Sequence, residues 1–209
     1  MTTRRSFLAA GLGSAAFARN GAHSVRLGGP VFLKSEDPVE IAREHKKLGY
    51  SAAYCPKVTV EDTDRVKAIS KAFAAEQVVI SEVGAWVNML DPDLEKRRKN
   101  MEYVTNRLAL SEALGALCCV DIAGSYHPTV WYGPHPKNLS KEFFDATVEN
   151  CRKVIDAVKP TRTRFTIEMM GWIVPNGPDA YLRLIKAIDR TAFAVQFHLD
   201  SPYGLRLIL

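Results

Sequence analysis

From residue 25 onward the chain alternates short apolar runs with longer stretches of helical period, and this alternation limits its fold more than any other property. The runs expected to form strands are Val25 to Gly29, Ala52 to Cys55, Gln77 to Glu82, Ala116 to Ala123, Arg164 to Met169 and Phe193 to Asp200. They are hydrophobic almost throughout, as strands covered on both faces must be. Helix starts stand between them: Asp37-Pro38, Asp91-Pro92, Ser140 with Glu142 after it, and Gly177-Pro178-Asp179. A capping side chain or an early proline suits the unpaired amides of a first helical turn. Gly115 and Pro160 are matching stops. Strand and helix, repeated six times, imply parallel crossovers and an α/β fold. Two architectures fit 209 residues. One is an incomplete (β/α)8 TIM barrel of about six units, since a full barrel takes about 250 residues. The other is an open doubly wound parallel sheet, which six strands could complete.

The N-terminal end follows another pattern. Thr3-Arg4-Arg5-Ser6-Phe7-Leu8 precedes an uncharged stretch of small residues ending in Ala16-Phe17-Ala18, which resembles a twin-arginine export signal with a small-x-small cleavage site. Residues 1–18 are therefore expected to direct export to the periplasm or beyond, and residues 19–209 to form a single partial-barrel domain. Gly11-Leu12-Gly13-Ser14-Ala15-Ala16 mimics a dinucleotide-binding loop, but no strand leads into it, so it carries no such expectation. No later stretch offers the roughly 18 to 20 apolar residues of a membrane span. The net charge of +5 comes from 28 basic and 23 acidic residues scattered among one another, which argues against a nucleic-acid partner. Cys55, Cys118, Cys119 and Cys151 lack zinc-site spacing and read as free thiols, with Cys118 and Cys119 on opposite faces of one strand.

In a parallel α/β fold, function gathers beyond the carboxyl ends of the strands, so polar residues that close apolar runs stand out. These are Glu82, Asp121, Glu168 and Asp200, with His198 two residues before Asp200 and on the same strand face. A carboxylate between Ile167 and Met169 is costly to bury unless it is paired, hydrogen-bonded or metal-bound. Glu168 and Asp200 on neighbouring strands could form half of an oxygen-rich divalent metal site, or Glu168 could pair with Arg162 or Arg164. Trp86 and Asn88 could offer a stacking face and an amide to a polyol. The segment from Ala123 through His127 and Trp131 to Pro136 has the length and composition of a lid or pocket wall.

Taken together, Glu82-Val83-Gly84-Ala85-Trp86, Asp121-Ile122-Ala123-Gly124-Ser125, Thr166-Ile167-Glu168-Met169-Met170 through Tyr181-Leu182-Arg183-Leu184-Ile185, and His198-Leu199-Asp200 resemble the xylose isomerase-like TIM-barrel superfamily, in its sugar phosphate isomerase/epimerase group. The resemblance runs from about Val25 to Asp200 and implies a barrel. It implies a divalent cation (Mn, Mg, Co or Zn) held by a glutamate on the fifth strand and an aspartate on the sixth, matched here by Glu168 and Asp200. A histidine on the seventh strand and a glutamate on the eighth complete that set. It further implies a sugar or sugar phosphate substrate and proton transfer through an enediolate with Glu168 as one base; Glu82, Trp86, Asn88, Asp121, His127 and His198, singled out by their places at strand ends and in loops, are expected near that substrate.

The chain departs from that pattern in Asp200-Ser201-Pro202-Tyr203 and in ending nine residues after Asp200. It is expected to be a family member lacking strands seven and eight, impaired alone, and either a homo-oligomer or missing a C-terminal part, because an unclosed barrel exposes two edges. Two other readings remain open at this level. One is a non-catalytic carbohydrate-binding or partner-completed half-barrel. The other is a nuclease of the same superfamily, against which the scattered charge and the export signal both argue.

Overall fold

The structure, a computed structural model, describes residues 25–196. The expected export signal, His198 and Asp200 lie outside the described residues. Helices α1 (Pro38–Lys47), α2 (Thr63–Ala75), α3 (Leu94–Leu114), α4 (Lys141–Val158) and α5 (Pro178–Ile188) alternate with strands β1 (Ala52–Tyr54), β2 (Val79–Gly84), β3 (Cys118–Asp121), β4 (Arg164–Ile167) and β5 (Phe193–Val195). Caps explain the helix limits. Asp37 accepts from the Val39 amide and Ser140 from the Phe143 amide, while Gly115 closes α3 at a φ of 72°. The start expected at Asp91-Pro92 falls two residues later: Asp93 caps α3, and Asp91 instead accepts from the Asp93 amide in the preceding turn.

The five strands are parallel and lie in chain order, β1 to β5. Each helix packs on the next, α1 on α2 through α4 on α5. One unreversed strand order backed by one continuous layer of helices is the wall of a barrel; a doubly wound sheet reverses its order and is covered on both faces. The open-sheet alternative is therefore excluded. The first expected strand, Val25 to Gly29, is reduced to a single parallel bridge from Gly28 to Ala52. Val25 and Leu27 stay exposed, and Gly28-Gly29-Pro30 cannot sustain a ladder. Among the described residues, no helix is long and apolar enough to cross a membrane.

Burial separates the two faces of the sheet. Val83, Ile80 and Ala53 join Ile69 and Phe73 of α2 and Leu110 of α3, whereas Cys119, Phe165, Ile167 and Phe193 join Leu108, Phe143 and Leu184 from α3, α4 and α5. These residues form the core between sheet and helices. Strand alternation sends their neighbours to the barrel interior. Cys118 and Cys119 divide in this way, Cys119 joining the helix-side core and Cys118 lying against Ser81 on the adjacent strand. All four cysteines are free thiols.

One irregularity changes the alternation. Ala53 pairs with Ile80 and Tyr54 with Glu82, so Ser81 is an extra residue in β2. Its hydroxyl donates to the Ala53 carbonyl. Ile80 faces the helices, and without the bulge Glu82 would face them too. With it, Glu82 turns inward and Val83 takes the helix-side position.

Candidate functional site

At the carboxyl ends of β1, β2 and β4 lies a cavity of about 440 Å3. Strand ends supply Tyr54, Cys55, Glu82 and Gly84, and the loops after β2 and β4 supply Trp86 and Glu168. Arg107 enters from α3. Its Nε donates to the Gly84 carbonyl at 3.0 Å and its Nη1 to the Val58 carbonyl at 3.3 Å. The guanidinium is thus fixed at the cavity edge by backbone oxygens.

Each wall has a local cause. Glu82 is only 3% exposed, placed by the Ser81 bulge. Glu168 follows the last β4 residue and is half-buried, its amide donating to the Asp121 carbonyl at 2.8 Å. Trp86 sits at a φ of 56°, in the left-handed region, and its indole packs directly against Gly84. A Cβ at residue 84 would overlap the indole nitrogen, so this approach requires glycine. Burial pushes the Cys55 thiol up to about 11 despite the Arg107 guanidinium nearby, and pushes Cys118 up to about 12. Neither is a thiolate nucleophile at neutral pH.

Other residues singled out by sequence do not line this cavity. Asn88 is 2% exposed; its amide nitrogen donates to the Ser125 carbonyl at 2.7 Å, and its oxygen accepts from the amides of Leu90 and Ser125. It fastens the loop after β2 to the loop after β3, so it does not present the amide expected to face a polyol. Asp121, fully buried, shares the helix side of β3 with Cys119 and pairs with Ile167. One carboxylate oxygen accepts from the amides of Val87 and Ile122. Burial drives its carboxyl far above the usual range against those hydrogen bonds. Strand parity thus puts Asp121 behind the site, where it holds the Trp86-Val87 backbone.

His127 is likewise internal to its loop: its Nδ1 accepts from the amides of Thr129 and Val130. The sequence reading missed Tyr54 and Arg107. A tyrosine at the end of an apolar run before Cys55-Pro56 was a readable signal. Arg107, inside a 21-residue helix, gave none, because only the crossing of α3 over β2 brings it to the cavity.

Among the described residues, no group of three or more His, Cys, Asp or Glu could hold a metal ion. Of the two carboxylates matched to a metal role, Glu168 is described and stands in the cavity; Asp200 is outside the described residues.

A barrel wall with its cavity at the carboxyl ends of the strands defines the class. Residues 42–200 match the xylose isomerase-like TIM barrel family, and the chain belongs to it. No curated protein matches it in sequence. Solved structures do match its fold. D-psicose 3-epimerase with D-tagatose from Clostridium cellulolyticum H10 is 17% identical at a TM-score of 0.59, covering 77% of this chain and 57% of its own. The 3-keto-D-glucoside 4-epimerase of E. coli is 12% identical at 0.53, covering 81% and 66%. A xylose isomerase-like TIM barrel protein from Mycobacterium smegmatis in complex with magnesium is 16% identical at 0.53, covering 76% and 55%. The chain thus spans 55 to 66% of the length of these three structures.

Proposed function

We propose that this chain is a sugar isomerase- or epimerase-like protein whose chemistry is proton transfer beside a carbonyl, with Glu168 as the catalytic carboxylate. The observation that carries the reading is the placement of Glu168 in one cavity with Glu82, Trp86 and Arg107, at the end of the strands where this family's fold gathers its chemistry. The sugar epimerases among its structural neighbours support a small sugar as ligand.

In this reading Trp86 gives the sugar a stacking face, and Glu82, on the inner face of β2, accepts hydrogen bonds from its hydroxyls. Glu168 takes the proton from the carbon next to the carbonyl. The C–H electron pair becomes the double bond of an enediolate, and the carbonyl pair moves onto oxygen. Return of a proton to the opposite face of the same carbon gives the epimer, and to the neighbouring carbon the isomer. Glu168 and Asp200 are the residues proposed to hold a divalent cation, Mn, Mg, Co or Zn, which would supply polarisation of the carbonyl. The magnesium complex of the Mycobacterium smegmatis protein supports that assignment. His198 is proposed beside the substrate, and export by the twin-arginine route belongs to the same reading.

The test is proton exchange. A ketohexose incubated with the full chain and Mg2+ in D2O should lose the NMR signal of the hydrogen next to its carbonyl, and Glu168→Gln should slow that loss by about 100-fold or more. Calorimetric Mg2+ binding should weaken in Glu168→Ala and in Asp200→Ala, and indifference to both would remove the metal from the reading. The grouping of the Trp86 ring with Glu82 in one cavity also suits a second reading, a non-catalytic sugar-binding protein. Sugar binding without exchange is its signature.

A further inference from the structure

A second cavity, of about 390 Å3, adjoins the first along the loop after β1 and the outward face of α3. The two share Cys55 and Arg107, so the guanidinium held by Gly84 and Val58 stands at the boundary between them. Val58 and Leu110 give the second cavity an apolar floor, both buried. Tyr103 forms a wall with 44% of its surface open, and Thr59 and Asn106 bring short polar groups.

The lining carries two positive side chains against one negative. Lys57 and Arg107 are positive, but two of the guanidinium N–H groups already serve backbone carbonyls, and Glu61 is negative. A phosphate pocket concentrates uncompensated positive charge and backbone amides. This one instead combines an exposed aromatic ring with donors and acceptors of both kinds, the surface suited to a neutral polyhydroxylated ring. Each cavity alone is near the lower end of the roughly 300 to 1,000 Å3 range of small-molecule sites, and the pair has room for a two-ring ligand.

We propose that the second cavity is a subsite for a second sugar unit, so that the substrate is a glycoside or disaccharide rather than a monosaccharide. The inference rests on the sugar-directed reading above and adds the size and charge of the ligand. The reacting sugar occupies the first cavity beside Glu168, its glycosidic partner reaches past Arg107, and Tyr103 and Asn106 hold that partner's ring.

The experiment compares D-fructose, D-fructose 6-phosphate and the glucosyl-fructoses turanose, maltulose and palatinose by calorimetry and tryptophan fluorescence on the full chain. At least one disaccharide should bind about 10-fold more tightly than D-fructose. Tyr103→Ala and Asn106→Ala, both on the open face of α3, should each remove most of that advantage and leave D-fructose affinity and thermal stability unchanged. D-fructose binding without a disaccharide advantage, or an advantage that survives both substitutions, overturns the subsite and leaves the sugar reading intact. Tighter binding of the 6-phosphate that is lost in Lys57→Ala would make the cavity an anion pocket instead and also overturns it. Absence of binding by every sugar overturns the subsite together with the reading on which it rests.

Discussion

The loops that follow β2 and β3 are adjacent, similarly polar and equally prominent in the sequence, yet they spend their hydrogen-bonding groups differently. The stretch from Glu82 to Trp86 directs a carboxylate and an indole into the cavity. The loop after β3 turns its polar groups on itself. The Ser125 hydroxyl donates to the Gly133 carbonyl, Asn138 accepts from the Tyr126 amide and donates to Gly133, and His127 collects two amides. Gly124, at a φ of 106°, lies so close to the Asn88 oxygen that a Cβ there would overlap it. Polarity at a strand end therefore identifies a place, but the destination of each donor and acceptor decides whether that place meets a ligand or braces one that does.

Substitutions test this division. Asn88→Ala should have the largest effect on stability, because it leaves the Ser125 carbonyl and the amides of Leu90 and Ser125 without that partner at a buried position. At about 1 kcal/mol or more for each orphaned group, a loss of roughly 3 kcal/mol is expected in urea titrations. A change below about 1 kcal/mol would mean that the two loops are not fastened there. Gly84→Ala acts on the other side of the division. It should displace the Trp86 indole, shift tryptophan fluorescence and weaken sugar binding, at a stability cost of about 1 to 3 kcal/mol. Retention of the native emission spectrum would show that Trp86 does not lean on Gly84.

A control lies far from both loops, where the Glu112 carboxylate of α3 accepts from the amides of Arg162 and Thr163 and the hydroxyl of Thr161. Burial opposes its ionisation, but these donors prevail and hold its carboxyl down at about 2. Because the folded-state value is depressed, the stabilisation is present above the ordinary carboxylate range near 4.5 and is lost as pH falls from there toward 2. After screening at this partly open site, roughly 1 to 2 kcal/mol should disappear over that window. Glu112→Gln should flatten the dependence, and sugar affinity at neutral pH should not change. The smallest effect belongs to His127→Ala, about 0.5 to 1 kcal/mol from an exposed turn, with ligand affinity unaltered. A large loss of affinity would return His127 to the site.

Much of the fold was legible because burial on two faces leaves a continuous apolar run: β1, β3, β4 and β5 fall within such runs, and β2 overlaps its own but continues two residues past Glu82 to Gly84. Strand order was not, since periodicity is local and the sequential pairing that separates a barrel from an open sheet is not. Val25 to Gly29 misled because apolar character alone cannot show that Val25 and Leu27 stay exposed among the described residues. In the site, Glu82, Trp86 and Glu168 could be found from their position at strand ends. Asp121 had the same signature but sits on the opposite face, and only strand parity within the folded sheet distinguishes it from Glu168. Arg107 depends wholly on a crossing between elements.

The extra residue at Ser81 has a consequence for how relatives of this chain should be compared. Removing Ser81 would straighten β2 without moving the side chains that follow: Glu82 would come directly after Ile80 and still face the cavity, with Val83 still toward the helices. A single-residue gap at this point is then silent for Glu82, whereas loss of the bulge at unchanged length is a chemical difference. Two chains whose Ile-Ser-Glu-Val-Gly segments align letter for letter, with no gap, would carry the same carboxylate to opposite sides of the wall if only one of them formed the bulge.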